Sequence, residues 1–246
     1  MGKVIAITSG KGGTGKTTSC AALASCLAVL GYKTLCLDCD IGLKNLDVPL
    51  GLVDCASTNF TDVLGGILSL DEAVSPHPEI GRLFFLSAPA MAEPETIDQN
   101  QMDALFGEIR GRFDYCIVDS PAGLGAGFKL ACTHADMAIV VETGDMTSLR
   151  DGQRTVCQLQ SLGLCDIRLL VNRVRPRLFR RSKTSVDDAI DMVGARLIGL
   201  VAEDEDVILS ANRGLPLICY KPDGATAQYF RIAKRIVGQK VPLGKL

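Results

Sequence analysis

Residues Gly10 to Thr17 read Gly-Lys-Gly-Gly-Thr-Gly-Lys-Thr, which satisfies the phosphate-loop spacing G-x-x-x-x-G-K-[ST] at every fixed position. Glycines at Gly10, Gly12, Gly13 and Gly15 let backbone N–H groups come close to phosphate oxygens. A helix beginning just after them adds its own positive potential. Lys16 can then reach the β- and γ-phosphates of a nucleotide, and the Thr17 hydroxyl can bind Mg²⁺. Gly10 through Thr18, with Thr14 and Thr18 included, are therefore the candidate nucleotide-binding residues. Lys11 is a second cation that this spacing does not require. A side chain at that point of the loop would face outward, either as an ordinary exposed lysine or as a finger that reaches the nucleotide of a second subunit.

Acidic residues stand where such a loop would need them. Asp119 closes the apolar run Tyr115-Cys116-Ile117-Val118-Asp119 and precedes Ser120-Pro121-Ala122-Gly123. A carboxylate at such a strand tip can hold Mg²⁺ or its water shell. Asp38 and Asp40 follow another apolar run, and Asp40 is placed to orient an attacking water or to bind metal-ligated water. Asp47, in the same acidic cluster, reads equally well as a further site acid or as a helix N-cap or solvated-loop residue. Asp40, Asp119 and Thr17 are the candidate metal ligands; Lys11, Lys16, Asp40 and Asp119 are the candidate catalytic residues.

Repeated strand–helix units must position these groups. Short apolar runs predict strands at Lys3–Thr8, Lys33–Asp38, Leu83–Ser87, Tyr115–Asp119, Met137–Val141, Arg168–Asn172 and Leu197–Val201. Helices are expected near Thr17–Leu30, Asp98–Arg110, Leu124–Thr133, Thr147–Leu162, Ser185–Met192, Asp204–Asn212 and Ala225–Val237. The alternation implies an α/β fold, a P-loop NTPase with a mainly parallel twisted sheet and helices on both faces. Polar residues then gather at the carboxyl ends of the strands, where ligands bind in such sheets.

The chain has 246 residues, a net charge of −2 and 22% charged residues, consistent with one large domain and against wholesale nucleic-acid binding. Met1-Gly2-Lys3 leads straight into the first strand, so no export leader is expected, and no apolar run is long enough to span a bilayer. Ten cysteines scattered through apolar segments read as reduced, mostly buried thiols of a cytosolic protein. Cys36 and Cys39 form a C-x-x-C, but residues three apart on a strand point to opposite faces, which favours packing over metal or redox chemistry. His77, in Ser75-Pro76-His77-Pro78, and His134 carry no assignment.

The string Lys11-Gly12-Gly13-Thr14-Gly15-Lys16-Thr17 resembles the deviant Walker A motif of the ParA/MinD ATPases. Further strings support that resemblance: Asp38-Cys39-Asp40-Ile41-Gly42-Leu43-Lys44-Asn45-Leu46-Asp47, Asp119-Ser120-Pro121-Ala122-Gly123, Thr147-Ser148-Leu149-Arg150-Asp151 and Ser210-Ala211-Asn212-Arg213-Gly214-Leu215-Pro216. The resemblance runs from residue 3 to about Pro242 and is nearest the septum-positioning branch. It implies ATP and Mg²⁺ as cofactors, with Lys11 crossing a dimer interface to the partner's phosphates. Lys16 and Thr17 would serve ATP and Mg²⁺, Asp40 would support hydrolysis, and Asp119 would be the Mg²⁺-linked acid. Asp151 would hold Lys11 at rest. Asn172 would read the adenine edge, with Arg173 beside it in the nucleotide site.

The implied partners are a second copy in an ATP-dependent homodimer, MinC-like and MinE-like division proteins, and a membrane surface. The implied location is the cytoplasm and the inner face of the cell membrane. Lys44 stands where the family has arginine, and Ala202 where it has proline. Val241-Pro242-Leu243-Gly244-Lys245-Leu246 is too short for the family's membrane-binding helix. The preceding helix carries Arg231, Lys234 and Arg235 beside a Phe230, Ala233, Ile236/Val237 stripe, and is expected to pack on the core with a solvated basic face. Two related readings remain: a DNA-partitioning or flagellar-number ATPase drawing on Arg173, Arg175, Arg177, Arg180, Arg181 and Lys183, and an iron–sulfur carrier drawing on Cys116 and Cys132.

Overall fold

The computed structural model describes residues 1–53, 58–177 and 185–244. One eight-stranded sheet runs β3-β4-β2-β5-β1-β6-β7-β8. Its strands are β1 (Lys3–Thr8), β2 (Thr34–Asp38), β3 (Ser75–Pro76), β4 (Leu83–Leu86), β5 (Tyr115–Asp119), β6 (Met137–Thr143), β7 (Ile167–Val174) and β8 (Arg196–Ala202). Every pairing is parallel except that of β3 with β4 at the edge. All seven expected strands are present within a residue or two of their predicted ends. The two-residue β3 is the one added, too short to carry any apolar period.

The sheet separates two cores because alternate side chains of a strand point to opposite faces. Val4, Ala6, Leu35, Leu37, Cys116 and Val118 pack on one side with Phe106, Phe128 and Leu149. Ile5, Ile7, Cys36 and Ile117 pack on the other with Leu23, Leu27, Tyr229 and Ile232. Cys36 and Cys39 fall in different cores, as the spacing predicts. Neither lies at the surface, and Cys36 Sγ sits 3.6 Å from Cys20 Sγ on the helix that follows the phosphate loop. Each large side chain buried this way contributes roughly 1.5–3 kcal/mol of transfer free energy.

All seven expected helices form, with boundaries shifted by a few residues at most. Helix Lys16–Val29 is buried on nearly all sides, since it lies between the sheet and the last long helix, Gly224–Ile236. Its Ala, Ser and Cys residues keep both neighbours close. Short helical turns at Asp47–Leu50, Phe60–Leu64, Leu70–Ala73 and Leu217–Tyr220 were beyond what a 3.6-residue period can reveal. Asp47 is the first residue of its turn and Leu46 is the N-cap, so the N-cap reading of Asp47 does not hold.

Helix Gly224–Ile236 buries Tyr229, Ile232, Ala233 and Ile236, so Ala233 and Ile236 of the expected stripe face the core while Tyr229 takes the place of Phe230, which is half-buried. Its basic face is also less free than expected: Arg235 donates to the carbonyls of Ile198, Val241 and Pro242. No described helix is long and apolar enough to cross a membrane.

Candidate functional site

The phosphate loop leaves β1 at Thr8 and enters helix Lys16–Val29 through Gly15, whose φ of +93° suits glycine. Among the described residues, the amides from Lys11 to Thr18 make no backbone hydrogen bond, and they stand free at the helix entry. Lys16 folds back over its own loop. Its Nζ donates to Ser9 Oγ at 3.0 Å and to the Lys11 carbonyl at 3.4 Å, while the Ser9 hydroxyl donates to the same carbonyl at 2.6 Å. Burial pushes the Lys16 amine below its ordinary range, against the pull of Asp119, Asp40 and Glu142. An ammonium held this way waits for a stronger anion than the groups now around it.

Asp119 and Asp40 act on it from the carboxyl ends of neighbouring strands, where Asp38 and Asp119 are register partners on β2 and β5. Asp119 is 1% exposed; it hydrogen-bonds Thr17, and its Oδ1 has no partner. Desolvation, reinforced by Asp38, holds its proton affinity well above the usual carboxylate range. Asp40 is half-buried and is raised by desolvation against the opposing charge of Lys16. A buried carboxylate with an orphaned oxygen, bonded to a loop hydroxyl beside free amides, is a fitting donor set for Mg²⁺ with nucleotide phosphate. Such an ion keeps several waters and takes few protein ligands. Accordingly, no group of three or more His, Cys, Asp or Glu among the described residues could hold a metal.

Asp38 is a scaffold that the sequence did not single out. Fully buried and pushed up to about 6 mainly by desolvation, it accepts the amides of Asp40 (2.8 Å) and Leu46 (3.3 Å), which shapes the loop carrying Asp40.

On the other side of the loop lies a cavity of about 580 Å³, lined by Gly13, Gly15, Thr18, Asn172, Arg173, Ala202 and Tyr229 among others. Asn172 Nδ2 donates to the Thr14 carbonyl at 2.9 Å, and its Oδ1 lies 3.5 Å from the Tyr229 hydroxyl. Arg173, at φ +53°, donates to the Gly13 carbonyl at 3.1 Å and to Glu203 at 3.3 Å. The structure thus brings Asn172 and Arg173 to the loop, as expected. Glu203 also pairs with Arg175, so two arginines of the basic run are engaged by an acid of the same chain while remaining exposed. Arg177 is exposed, while Arg180, Arg181 and Lys183 lie outside the described residues.

Lys11 is half-buried at the rim, with Nζ 3.6 Å from Asp145 Oδ1. The expectation that Asp151 holds it is corrected. Asp145 caps helix Met146–Ser161 through the Ser148 amide and so stands at the helix mouth facing the loop. Asp151 lies further along, paired with Arg154 at 3.4 Å and packed by its Cβ and backbone against Gly10. Glu142 was also missed; it is fully buried on β6 between Gly10 and Ser148.

Cys116 and Cys132 sit in the core with thiols pushed up by burial, which disfavours the thiolate an iron–sulfur ligand must be. His77 is buried and tied to the Leu50 carbonyl and to the amides of Glu79 and Ile80. His134 stacks on Phe106.

The CobQ/CobB/MinD/ParA nucleotide binding domain family matches residues 5–217. The septum site-determining protein MinD of Synechocystis is 37% identical over 244 residues, covering 98% of this chain and 92% of that protein. A structure of the MinC:MinD cell division protein complex of Aquifex aeolicus aligns with a TM-score of 0.91 at 35% identity over 99% of each chain. The septum site-determining protein MinD of Pyrococcus horikoshii, complexed with Mg-ADP, aligns with a TM-score of 0.83 at 28% identity over 97% of each chain.

Proposed function

This chain belongs to the CobQ/CobB/MinD/ParA nucleotide-binding family as an ATPase, and on that premise we propose that it is an ATP-dependent dimerising switch that positions the division septum. ATP with Mg²⁺ is the ligand of the loop, ADP its product. Thr17 and Asp119 hold the cation, Lys16 turns from Ser9 to the phosphates, and Asp40 orients the attacking water. Asn172 reads the adenine edge from within the cavity beside Gly15, with Arg173 closing one side. Held by Thr17 and Asp119, Mg²⁺ would supply charge neutralisation on the phosphate oxygens.

The observation that carries the switch is Lys11. It rests on an exposed acid at the rim of the site, a contact weak enough to be exchanged for a partner's phosphates. ATP would then bring two copies face to face, and hydrolysis would release them. A MinC-like protein is the partner supported by the relative's complex; a MinE-like stimulator and a membrane surface complete the reading.

Light scattering of the purified chain with Mg-ATP or Mg-ADP tests this, followed by sedimentation with anionic vesicles and a MinC-like protein. The expected result is a dimer with ATP alone, absent in Lys11→Ala, that carries the MinC-like protein and the vesicles. A monomer under every nucleotide condition would sink the switch, and dimers that ignore vesicles would remove the membrane from it.

A further inference from the structure

Glu142 has no part in the roles given above, yet it bonds an amide at the mouth of the phosphate loop. It has no exposed surface. Its Oε1 accepts the Gly10 amide at 3.2 Å, and its Oε2 accepts the Ser148 hydroxyl. The Ser148 amide in turn donates to Asp145, the acid that faces Lys11. Since Lys11 follows Gly10, these contacts close a ring: Gly10, Glu142, Ser148, Asp145, Lys11. The neighbouring helix leaves room for the carboxylate, because a Cβ on Gly152 would come within 2.8 Å of Glu142 Cγ.

The charges facing Glu142 come from two elements. Lys11 and Lys16 on the loop favour its ionised form, and Asp151 on helix Met146–Ser161 opposes it. Its β7 register partner is the apolar Val171, and near Gly152 helix Val186–Val193 contributes the methyl of Val193. Burial already pushes the free carboxyl up to about 7. A phosphate cradled by the loop adds negative charge nearby and shifts Lys16 away, both of which favour the protonated form.

We propose that Glu142 is a positioning residue for nucleotide binding: it ties the mouth of the phosphate loop to the helix carrying Asp145, so setting where Lys11 rests, and it takes up a proton as phosphate enters. The proposal rests on the nucleotide site described above. Nucleotide affinity therefore falls as pH rises through the titration of this one buried acid.

The test is titration of the full chain with a fluorescent ADP analogue and Mg²⁺ from pH 6 to 8.5. Wild type is expected to lose about tenfold in affinity across that range. Glu142→Gln, which keeps the shape and the acceptor for Gly10 without the charge, removes most of that loss. Ser148→Ala deletes a hydrogen bond to the ionised form, so its midpoint moves to higher pH. Lys11→Ala changes affinity less in the Glu142→Gln background than in wild type. Parallel pH profiles for wild type and Glu142→Gln would overturn the proposal, as would an unmoved midpoint in Ser148→Ala should Glu142→Gln not fold. Equal effects of Lys11→Ala in both backgrounds overturn the positioning of Lys11. Wild type that binds no nucleotide at any pH overturns the site itself, and the proposal with it.

Discussion

Asn172 Nδ2 stands 2.3 Å from the point where a Cβ on Gly15 would be, so this amide and the last loop glycine occupy each other's margins. Gly15→Ala must displace that amide and also hold alanine at φ +93°, a left-handed backbone costing about 1–2 kcal/mol. Thermal melts should show a loss of at least about 2 kcal/mol, and Mg-ADP titration a collapse of affinity. Gly12→Ala is the control: no atom lies within 4 Å of its would-be Cβ, and its stability should stay within about 0.5 kcal/mol of wild type.

Lys16→Met separates binding from folding. Burial works against the ammonium, whose hydrogen-bond acceptors among the described residues are Ser9 and a carbonyl. The variant should melt at or above the wild-type temperature while Mg-ATP binding and hydrolysis vanish. A large drop in melting temperature would show instead that Lys16 holds the free fold together.

Asp145 and Asp151 should behave differently when replaced. Asp145→Ala removes the N-cap of helix Met146–Ser161 and should cost about 1 kcal/mol by chemical denaturation. Lys11→Ala breaks only a pair whose side chains are 36% and 54% exposed, so it should cost under about 1 kcal/mol while abolishing ATP-dependent association. Asp151→Ala should leave the Lys11 contact in place.

The stability of the nucleotide-free protein should fall as pH rises from about 4 to 7. Glu142, at about 7 in the fold against an ordinary 4.5, and Asp38, at about 6 against 3.8, both bind protons more tightly folded than unfolded. Their stabilising contribution is full below the unfolded values and is lost as pH climbs through the folded ones. Glu142→Gln should flatten the upper part of that decline, by roughly 3 kcal/mol at most. Denaturation midpoints measured at pH 4.5, 6 and 7.5 check it; a slope unchanged in the variant would count against Glu142 as the titrating group.

The strands and the phosphate loop were legible because buried parallel strands are continuous apolar runs and the loop's spacing is set by the geometry of phosphate binding. Asp40, Asp119 and Asn172 were legible as polar breaks where those runs stop. Glu142 was not, although it left a trace: a carboxylate inside Val140-Val141-Glu142-Thr143, just where the strand was expected to have ended. The resting partner of Lys11 could not be read from spacing either. Asp145 and Asp151 are six residues apart on one helical segment, and only the docking of that helix on the loop decides between them. Asp38 was visible as an acid, but its two amide partners come from a loop whose path no periodicity reports.

The Tyr229 phenol touches Ser19, three residues into the helix that follows the loop, and Asn172, the amide at the base cavity. On the nucleotide site proposed above, the last long helix is thereby linked through one hydroxyl to both the loop helix and the cavity beside the loop. Its backbone becomes a reporter of occupancy: hydrogen exchange along Gly224–Ile236 should slow when nucleotide binds and return on its release. A pull on that helix from outside would, by the same reciprocity, loosen the grip on the base.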